Sequence, residues 1–351
     1  TTGASNTAVG ALALDANTTA GEITAVGYQA LTSNTTGTSN SGFGAYALQT
    51  NTTGGANTAI GYAANYLNTT GANNTSLGFF ALGANTTASA QVAIGYQALG
   101  AATTGGYNVA IGFQALDANT TGTTNIAIGS SSLSANTTTA GNTAVGKNTL
   151  LVATAANNTA VGSDVLDSNT TGTANAGFGI LSLSGVTTGN YNTGLGSYAG
   201  DVTTTGSNNI TLGYTADPSA ADASNEVTFG NSSISSIRCQ VQTISSLSDV
   251  RDKENIEELP LGVEFINTLR PVKFDWAMRD GMQEGVQEIG FVAQELDKAQ
   301  QDANAEEYMR LVLKTNPERL ESTYGKLVPI LVNAIQELST KVEVLENNNK
   351  E

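Results

Sequence analysis

The first two thirds of the chain repeat a single pattern of small, apolar and polar positions. A large apolar residue followed by glycine recurs every 17 residues, with one interval of 16 residues between Gly146 and Gly162. The residue two positions before this glycine is always small, a leucine usually stands four positions after it, and Asn-Thr-Thr usually follows. Self-similarity at a short fixed period predicts a solenoid. The thirteen glycines of the pattern are Gly10, Gly27, Gly44, Gly61, Gly78, Gly95, Gly112, Gly129, Gly146, Gly162, Gly179, Gly196 and Gly213.

The residue types within each copy indicate short extended pieces joined by turns. β-Branched residues favour extended chain, and Asn and Gly favour turns. We therefore expect each copy to form one rung of a β-solenoid with two short strands and two corners, stabilised by stacking on its neighbours. Thirteen such rungs at a strand spacing of about 4.8 Å would form a rod of roughly 60 Å. The small position indicates that two backbones approach closely, either across a thin coil or against a neighbouring chain.

A short segment with alternating apolar residues follows the repeats. In NEVTFGNSSISSIRCQVQTISSLSD the alternation, interrupted by Gly230-Asn231 and a serine cluster, predicts two or three strands. Cys239 lies within this alternation. It is expected to be a small buried hydrophobic residue, because the chain has no histidine to activate a cysteine nucleophile. The alternating positions are Val227, Phe229, Ile234, Ile237, Val241 and Ile244.

The C-terminal region has the pattern of a compact α+β domain. A helix is expected from Pro260 to Leu269, a strand after Pro271, and a strand running into a helix in EIGFVAQELDKA. In the final segment, apolar residues follow one another at alternating spacings of 4 and 3, which is the seam of a coiled coil within a helix over 329–347. Val/Ile at one seam position and Leu at the other formally favour two strands, but this count alone does not settle the number of chains. The seam residues are Tyr324, Val328, Leu331, Ile335, Leu338, Val342 and Leu345.

The density of charged residues also changes near residue 240, where the repeats have ended and the C-terminal region begins. Residues 1–240 contain 9 acidic and 2 basic side chains, and residues 241–351 contain 21 and 12, which together give the totals of 30 and 14. The net charge of −16 argues against a nucleic-acid partner, which requires a basic face. A single cysteine and no histidine exclude an intrachain disulfide, histidine chemistry and a Cys/His zinc site. No cofactor, metal or membrane span is expected.

Several features of the repeats suggest alternative functions. The Asn-Thr-Thr triplets satisfy the N-glycosylation pattern, although regular recurrence at one corner of a solenoid also explains them. Stacked threonine rows are compatible with an ice-binding face. A glycan-degrading rod would require paired inward carboxylates, whereas the acidic residues are scattered along the sequence: Asp15, Glu22, Asp117, Asp164, Asp167 and Asp201. The triplet asparagines are Asn17, Asn34, Asn51, Asn68, Asn85, Asn119, Asn136 and Asn169.

Four motifs occur in order in the C-terminal region: SLSDVRDKENI, LRPVKFDW, EIGFVAQEL and YGKLVPILVNAIQELSTKVEVLE. Over roughly residues 246–347 they resemble the intramolecular chaperone of the endosialidase type, a self-cleaving peptidase family at the ends of bacteriophage tail spikes and fibres. The resemblance implies a trimer that assists the folding of the preceding fibre and then cuts itself off by a Ser/Lys mechanism. The repeats lie outside that family, but similar repeats ahead of such a domain resemble trimeric fibre shafts and the heads of trimeric adhesins.

By the pattern of this family, Ser248 and Lys253 occupy the positions of the catalytic pair, and the bond between Leu247 and Ser248 is cut. A serine hydroxyl needs a base, and lysine is one only if burial or neighbouring positive charge lowers its pKa. Arg251 is expected to help lower that pKa, whereas Asp249 or Asp252 is expected to orient the lysine or oppose the effect. A Ser-Asp pair ahead of a charged helix is also a common N-cap, and this reading stays open.

Together these observations predict a mainly β protein: a trimeric β-solenoid over residues 1–216, a β-rich neck over 217–247, and a chaperone domain over 248–351 ending in a coiled-coil helix. The expected function is that of a phage tail fibre in the virion, assembled in the host cytoplasm. Its expected partners are an upstream fibre or tail protein and a host receptor, either a glycan or an outer-membrane component. The alternative is a bacterial trimeric adhesin or ice-binding solenoid with an assembly domain that is not cleaved.

Overall fold

The computed structural model describes residues 2–238, 240, 248–277 and 284–349. Two compact units are present, and the boundary between them lies between Asn231 and Ser232. Val241, Ile244 and Cys239 of the predicted neck and Leu247 of the predicted cleavage site lie outside the described residues.

The first unit is a β-solenoid built on a 14-stranded parallel sheet, in which each strand pairs in register with the strand of the next rung. Strand β14 extends the repeat by one rung beyond the thirteen copies counted in the sequence, because Val227 pairs with Ile210 and Phe229 with Leu212. The neck therefore contributes its first apolar pair to the solenoid, and residues 232–238 contain no strand. The strands are β1 Thr7–Val9, β2 Thr24–Val26, β3 Ser41–Phe43, β4 Thr58–Ile60, β5 Thr75–Leu77, β6 Val92–Ile94, β7 Val109–Ile111, β8 Ile126–Ile128, β9 Thr143–Val145, β10 Thr159–Val161, β11 Ala176–Phe178, β12 Thr193–Leu195, β13 Ile210–Leu212 and β14 Val227–Phe229.

Each rung contains one short strand, not the two that were predicted. The segment after the glycine has alternating residues with left-handed backbone, such as Gln29 and Leu31, both with φ of 54°. The N–H groups of these two residues bond to opposite neighbours: Gln29 N–H donates to Ala11 of the preceding rung, and Leu31 N–H donates to Ala47 of the following rung. The side of the coil without a strand is therefore also hydrogen-bonded from rung to rung.

The core of the solenoid is a narrow stack of alanine and leucine. The small residue two before the glycine is buried inside the coil, as Ala59 and Ala93 show, and the leucine four after the glycine, such as Leu82, packs against this row. The close backbone approach inferred from the sequence thus occurs across a thin coil. The repeated glycine itself is also constrained: Gly61 has φ of +133°, and a Cβ there would lie 2.5 Å from the carbonyl oxygen of Gly78.

Two ladders of buried side-chain amides line the corners. In the ladder before the strands, Asn57 Oδ1 accepts a hydrogen bond from Asn74 N–H (3.0 Å), and its Nδ2 donates to the Gly71 carbonyl (2.9 Å). In the ladder of Asn-Thr-Thr triplets, Asn68 Nδ2 donates to Asn51 Oδ1 (2.7 Å) and to the Gly71 carbonyl (2.9 Å). Every triplet asparagine is at most 7 % exposed, so these side chains are not accessible for glycosylation in the folded chain. Their role is to pair buried backbone groups.

The outward face of the sheet carries a continuous apolar row along the whole unit. The last residue of every strand is large, apolar and at least partly exposed, and we call this set the outer row. Three consecutive rungs also begin with an outward β-branched apolar residue, at Val92, Val109 and Ile126. The outer row consists of Val9, Val26, Phe43, Ile60, Leu77, Ile94, Ile111, Ile128, Val145, Val161, Phe178, Leu195, Leu212 and Phe229.

The second unit is a small α+β domain. Its helices are α1 Val263–Thr268, α2 Ala293–Asp302, α3 Glu306–Met309 and α4 Leu327–Asn348, and 3-10 turns lie at Val250–Asp252 and Tyr324–Lys326. Strands β15 Val272–Asp275 and β16 Gln287–Gly290 form one antiparallel pair, and β17 Val312–Leu313 and β18 Glu321–Ser322 form another. The predicted helix before Pro271, the strand after it and the strand that runs into a helix are all present.

The long helix α4 has two apolar faces. Leu327, Ile330 and Ala334 on one face are buried, and the first two belong to the core of the unit with Phe265 and Leu296. Polar contacts fix the same face, because Asn333 Nδ2 donates to the carbonyls of Leu259 (3.1 Å) and Leu261 (2.9 Å). The predicted seam lies on the other face, where Leu331, Ile335, Leu338, Val342 and Leu345 are 43–65 % exposed.

Candidate functional site

The first turn of the C-terminal unit folds around the side chain of Asp249. Asp249 Oδ1 accepts a hydrogen bond from the backbone N–H of Arg251 (2.9 Å), which caps the 3-10 turn over Val250–Asp252. The backbone N–H of Lys253 donates to the Val250 carbonyl (3.2 Å) and ends the turn. A single tight turn therefore separates Ser248 from Lys253.

The turn brings the ends of the predicted pair into contact. Lys253 Nζ lies 2.7 Å from Ser248 Oγ, within hydrogen-bonding distance. The N-cap interpretation of the Ser-Asp pair is confirmed for Asp249, which caps the turn, while Ser248 contacts the lysine. A charged lysine donates in such a contact, whereas a neutral amine would accept the hydroxyl proton and activate the serine.

Arg251 is engaged by Asp249. Its Nε and Nη2 donate to the two carboxylate oxygens of Asp249, at 3.1 and 2.6 Å. These bonds and the one from the Arg251 backbone hold the pKa of the Asp249 carboxyl below its usual value, and the same ion pair raises the pKa of Arg251. The ion pair between Asp249 and Arg251 therefore stabilises the turn, and the positive charge of Arg251 is neutralised by Asp249.

Both residues of the pair are open to solvent in a single chain. Ser248 and Lys253 are exposed, and the Arg251 side chain is 85 % exposed. Lysine generally acts as a base only where burial or a positive neighbour lowers its pKa. The contact of hydroxyl and amine is therefore present within one chain, but the described residues of that chain leave both groups exposed to solvent.

The solenoid brings together two carboxylates that the sequence did not indicate as a pair. Burial and the nearby charge of Asp201 raise the pKa of Asp217 to about 6. The repeat pattern does not reveal this pair, because the two residues stand at different positions of their copies: Asp217 follows Gly213 by four residues, and Asp201 follows Gly196 by five.

The threonine rows are partly committed to the coil. The first threonine of a triplet donates its hydroxyl to the carbonyl of the next rung, as Thr52 Oγ1 does to Thr69 (2.9 Å) and Thr69 Oγ1 to Thr86 (2.9 Å). The second threonine, such as Thr53 or Thr70, is exposed. One threonine of each such triplet is thus directed to solvent, where an ice-binding face of paired rows at this corner would need two.

The helices in the described part of the chain are too short or too polar to cross a bilayer. No curated protein and no solved structure matches the chain. One protein family model does match. The matched segment begins at Ser248, includes Lys253 and covers about a sixth of the whole chain. Residues 248–305 match the peptidase S74 family, described as the chaperone of endosialidase, and a repeat solenoid ahead of such a segment is consistent with a tail fibre.

Proposed function

We propose that this chain is a phage tail-fibre protein whose C-terminal domain drives trimerisation and folding of the shaft, then releases itself by cleavage between Leu247 and Ser248. The observation that carries the proposal is the 2.7 Å contact between Lys253 Nζ and Ser248 Oγ at the first residue of the matched family segment. The solenoid ahead of this segment supplies the shaft.

The reaction proposed for this pair is an intramolecular acyl shift followed by hydrolysis. Neutral Lys253 takes the proton of the Ser248 hydroxyl, and Oγ attacks the carbonyl carbon of Leu247. The C–N bond breaks, and the lysine returns its proton to the freed amine of Ser248. Water then hydrolyses the ester, which leaves a carboxylate on Leu247 and a new N-terminus at Ser248. Because the reaction is a single intramolecular turnover, proximity supplies much of the rate.

Trimerisation completes the site in this proposal. A solvent-exposed lysine is a poor base, and the exposed pair needs cover that lowers the cost of the neutral amine. Two unpartnered apolar surfaces support assembly of several chains: the seam on α4 and the outer row of the solenoid. Neighbouring subunits packed on these surfaces would shield Ser248 and Lys253, so that cleavage follows assembly.

The repeat explains why such a chain needs a separate assembly domain. Rungs of nearly identical sequence can pair out of register at little energetic cost, because each shifted pairing buries similar groups. A well-specified C-terminal trimer would align the three chains before the rungs stack. Its removal would then make assembly irreversible. The mature fibre would join an upstream fibre or tail protein in the virion and contact a receptor on the host surface.

The test is the mass of the purified full chain under denaturing conditions, with the native mass measured in parallel. We expect the wild type to be split before Ser248, Ser248→Ala to stay intact, and both to form trimers. Ser322→Ala is the matched control, because Ser322 lies in β18, away from the turn, and its loss should leave cleavage unchanged. An intact wild-type chain would refute self-cleavage, and a monomeric Ser248→Ala chain would refute trimeric assembly.

A further inference from the structure

Four aromatic rings form a continuous stack on the surface of the solenoid. Tyr62, Phe79, Tyr96 and Phe113 each directly follow the repeated glycine in four consecutive rungs. Their ring centroids are 5.3, 5.4 and 5.3 Å apart, and their planes are within 10° of parallel. We call these four residues the aromatic ladder.

The ladder remains accessible although its rings touch. Faces in direct contact lie about 3.5–4 Å apart, so parallel rings with centroids 5.3 Å apart overlap only in part, as in an offset stack. The residues of the ladder are 43–51 % exposed. Part of each ring is thus open to solvent, and the open parts recur at the spacing of the rungs.

The rungs do not need an aromatic residue at this position. Other copies place Ala45, Ser130, Lys147 or Ser163 directly after the glycine and still form the same strand and turn. The outer row, in contrast, is apolar in all fourteen rungs, as a contact between copies of the chain along the whole rod would require. Tyr28 and Tyr214 also follow the repeated glycine, but their ring contacts are edge-to-face, and parallel stacking is confined to the four consecutive rungs of the ladder. This confinement indicates a local binding surface.

Charge narrows the kind of partner. Residues 23–116 contain no Asp, Glu, Lys or Arg, although the chain as a whole has a net charge of −16. An anionic ligand would find no cation here, and a cationic one no carboxylate. Amides lie next to the ladder instead: Gln97 and Gln114 follow Tyr96 and Phe113, and the Gln114 side chain donates to that of Gln97 (3.3 Å).

We propose that the aromatic ladder binds an extended, uncharged glycan chain. A sugar ring has an apolar C–H face that packs on an aromatic ring, and its hydroxyls match amide and phenol groups. A polymer with a regular repeat suits a surface with a regular repeat, because successive sugars meet successive rings. This inference rests on the proposed receptor-binding role of the fibre and specifies the receptor class.

The test is binding of the full-length protein to three uncharged hexasaccharides, of glucose, mannose and N-acetylglucosamine, and to an oligosialic acid, by calorimetry. The ladder variant is Phe79→Ser with Tyr96→Ser, since serine occupies the same position in other rungs. The matched control is Tyr214→Ser, which removes an exposed tyrosine after a glycine outside the ladder. We expect an uncharged hexasaccharide to bind wild type and Tyr214→Ser equally, and the ladder variant at least tenfold more weakly.

Three results would overturn the inference: binding of none of the uncharged sugars, preference for the oligosialic acid, or equal binding by the ladder variant. The native mass of the same samples shows whether the ladder variant has lost the oligomeric state of the wild type. If the ladder variant no longer forms the wild-type oligomer, the ladder is a contact between copies of the chain and the inference is wrong. Cleavage before Ser248 is read from the same preparations, so that failure of glycan binding is distinguished from failure of the proposed assembly and cleavage.

Discussion

Asp249 holds Arg251 by three hydrogen bonds, two from the guanidinium and one from the backbone amide, and thereby closes the turn that places Lys253 on Ser248. If this ion pair acts by shaping the turn, Arg251→Gln will slow cleavage severalfold without moving the pH at which the rate is half-maximal. The rate is measured after refolding uncleaved chain from denaturant at a series of pH values. Arg270→Gln, which removes an arginine paired with Glu295 instead, is the control. A midpoint shifted to higher pH would show that Arg251 lowers the pKa of the base.

Replacement of the proposed base while keeping its charge separates proton transfer from electrostatics. Lys253→Arg retains a cation near Ser248 but cannot become neutral at accessible pH. We expect no cleavage by this variant or by Lys253→Met in a denaturing mass measurement, and an unchanged trimer by native mass. Lys273→Arg makes the same exchange at an exposed lysine in β15 and should be cleaved like wild type. Cleavage of Lys253→Arg would remove lysine from the mechanism.

The buried amide ladder predicts a measurable stability cost for a single change. Asn68→Ala removes donors to Asn51 and Gly71 and an acceptor for Asn85. Leaving these buried groups unpaired should cost about 2–3 kcal/mol of unfolding free energy. The control Asn73→Ala changes an exposed asparagine at a position where Ala56 and Ala90 occur with positive φ, and should cost much less. Thermal unfolding by tyrosine absorbance reports mainly on the solenoid. Equal destabilisation by both variants would contradict this role.

The repeat could be predicted from the sequence, but the backbone conformation within each copy could not. The glycine spacing predicts both the period and the register, since the step between glycines, 17 residues except for 16 between β9 and β10, is also the step between paired strands. The sequence predicts a second strand on the other side of the coil, but Leu31 and Leu48 have φ near 50°, which this residue type rarely adopts and which only the stacked structure reveals. The asparagines were read as turn residues, and only the three-dimensional stack shows that their side chains point inward. The family resemblance pointed to Ser248 and Lys253 as a pair. It did not indicate that both side chains are exposed to solvent in a single chain.

The carboxyl pair in the last rungs makes solenoid stability depend on pH. Burial and the charge of Asp201 raise the folded-state pKa of Asp217 to about 6, above the ordinary value near 3.9. Protonated Asp217 is therefore favoured by folding: its stabilising effect is full below about pH 4 and is lost as pH rises to about 6. Asp217→Asn should raise the unfolding free energy by about 1 kcal/mol at pH 7.5 and have little effect at pH 4. The value at pH 7.5 is smaller than the full pKa shift implies, because solvent screens the partly exposed carboxyl. Asp222→Asn, at an exposed site, is the control. A similar gain at both pH values would exclude this origin.

The exposed seam on α4 predicts that assembly and cleavage are lost together. Ile335 is 65 % exposed in one chain, on the face opposite the buried Ile330 and Ala334, so Ile335→Glu leaves the core of the unit intact while placing a charge in the seam. We expect native mass to show conversion from trimer to monomer and denaturing mass to show at least a tenfold loss of cleavage, with the fluorescence of Trp276 unchanged. Gln336→Glu adds the same charge one residue away and should retain both trimer and cleavage. A monomeric Ile335→Glu chain that still cuts itself would show that one chain contains the complete site, and the link between cleavage and assembly would be wrong.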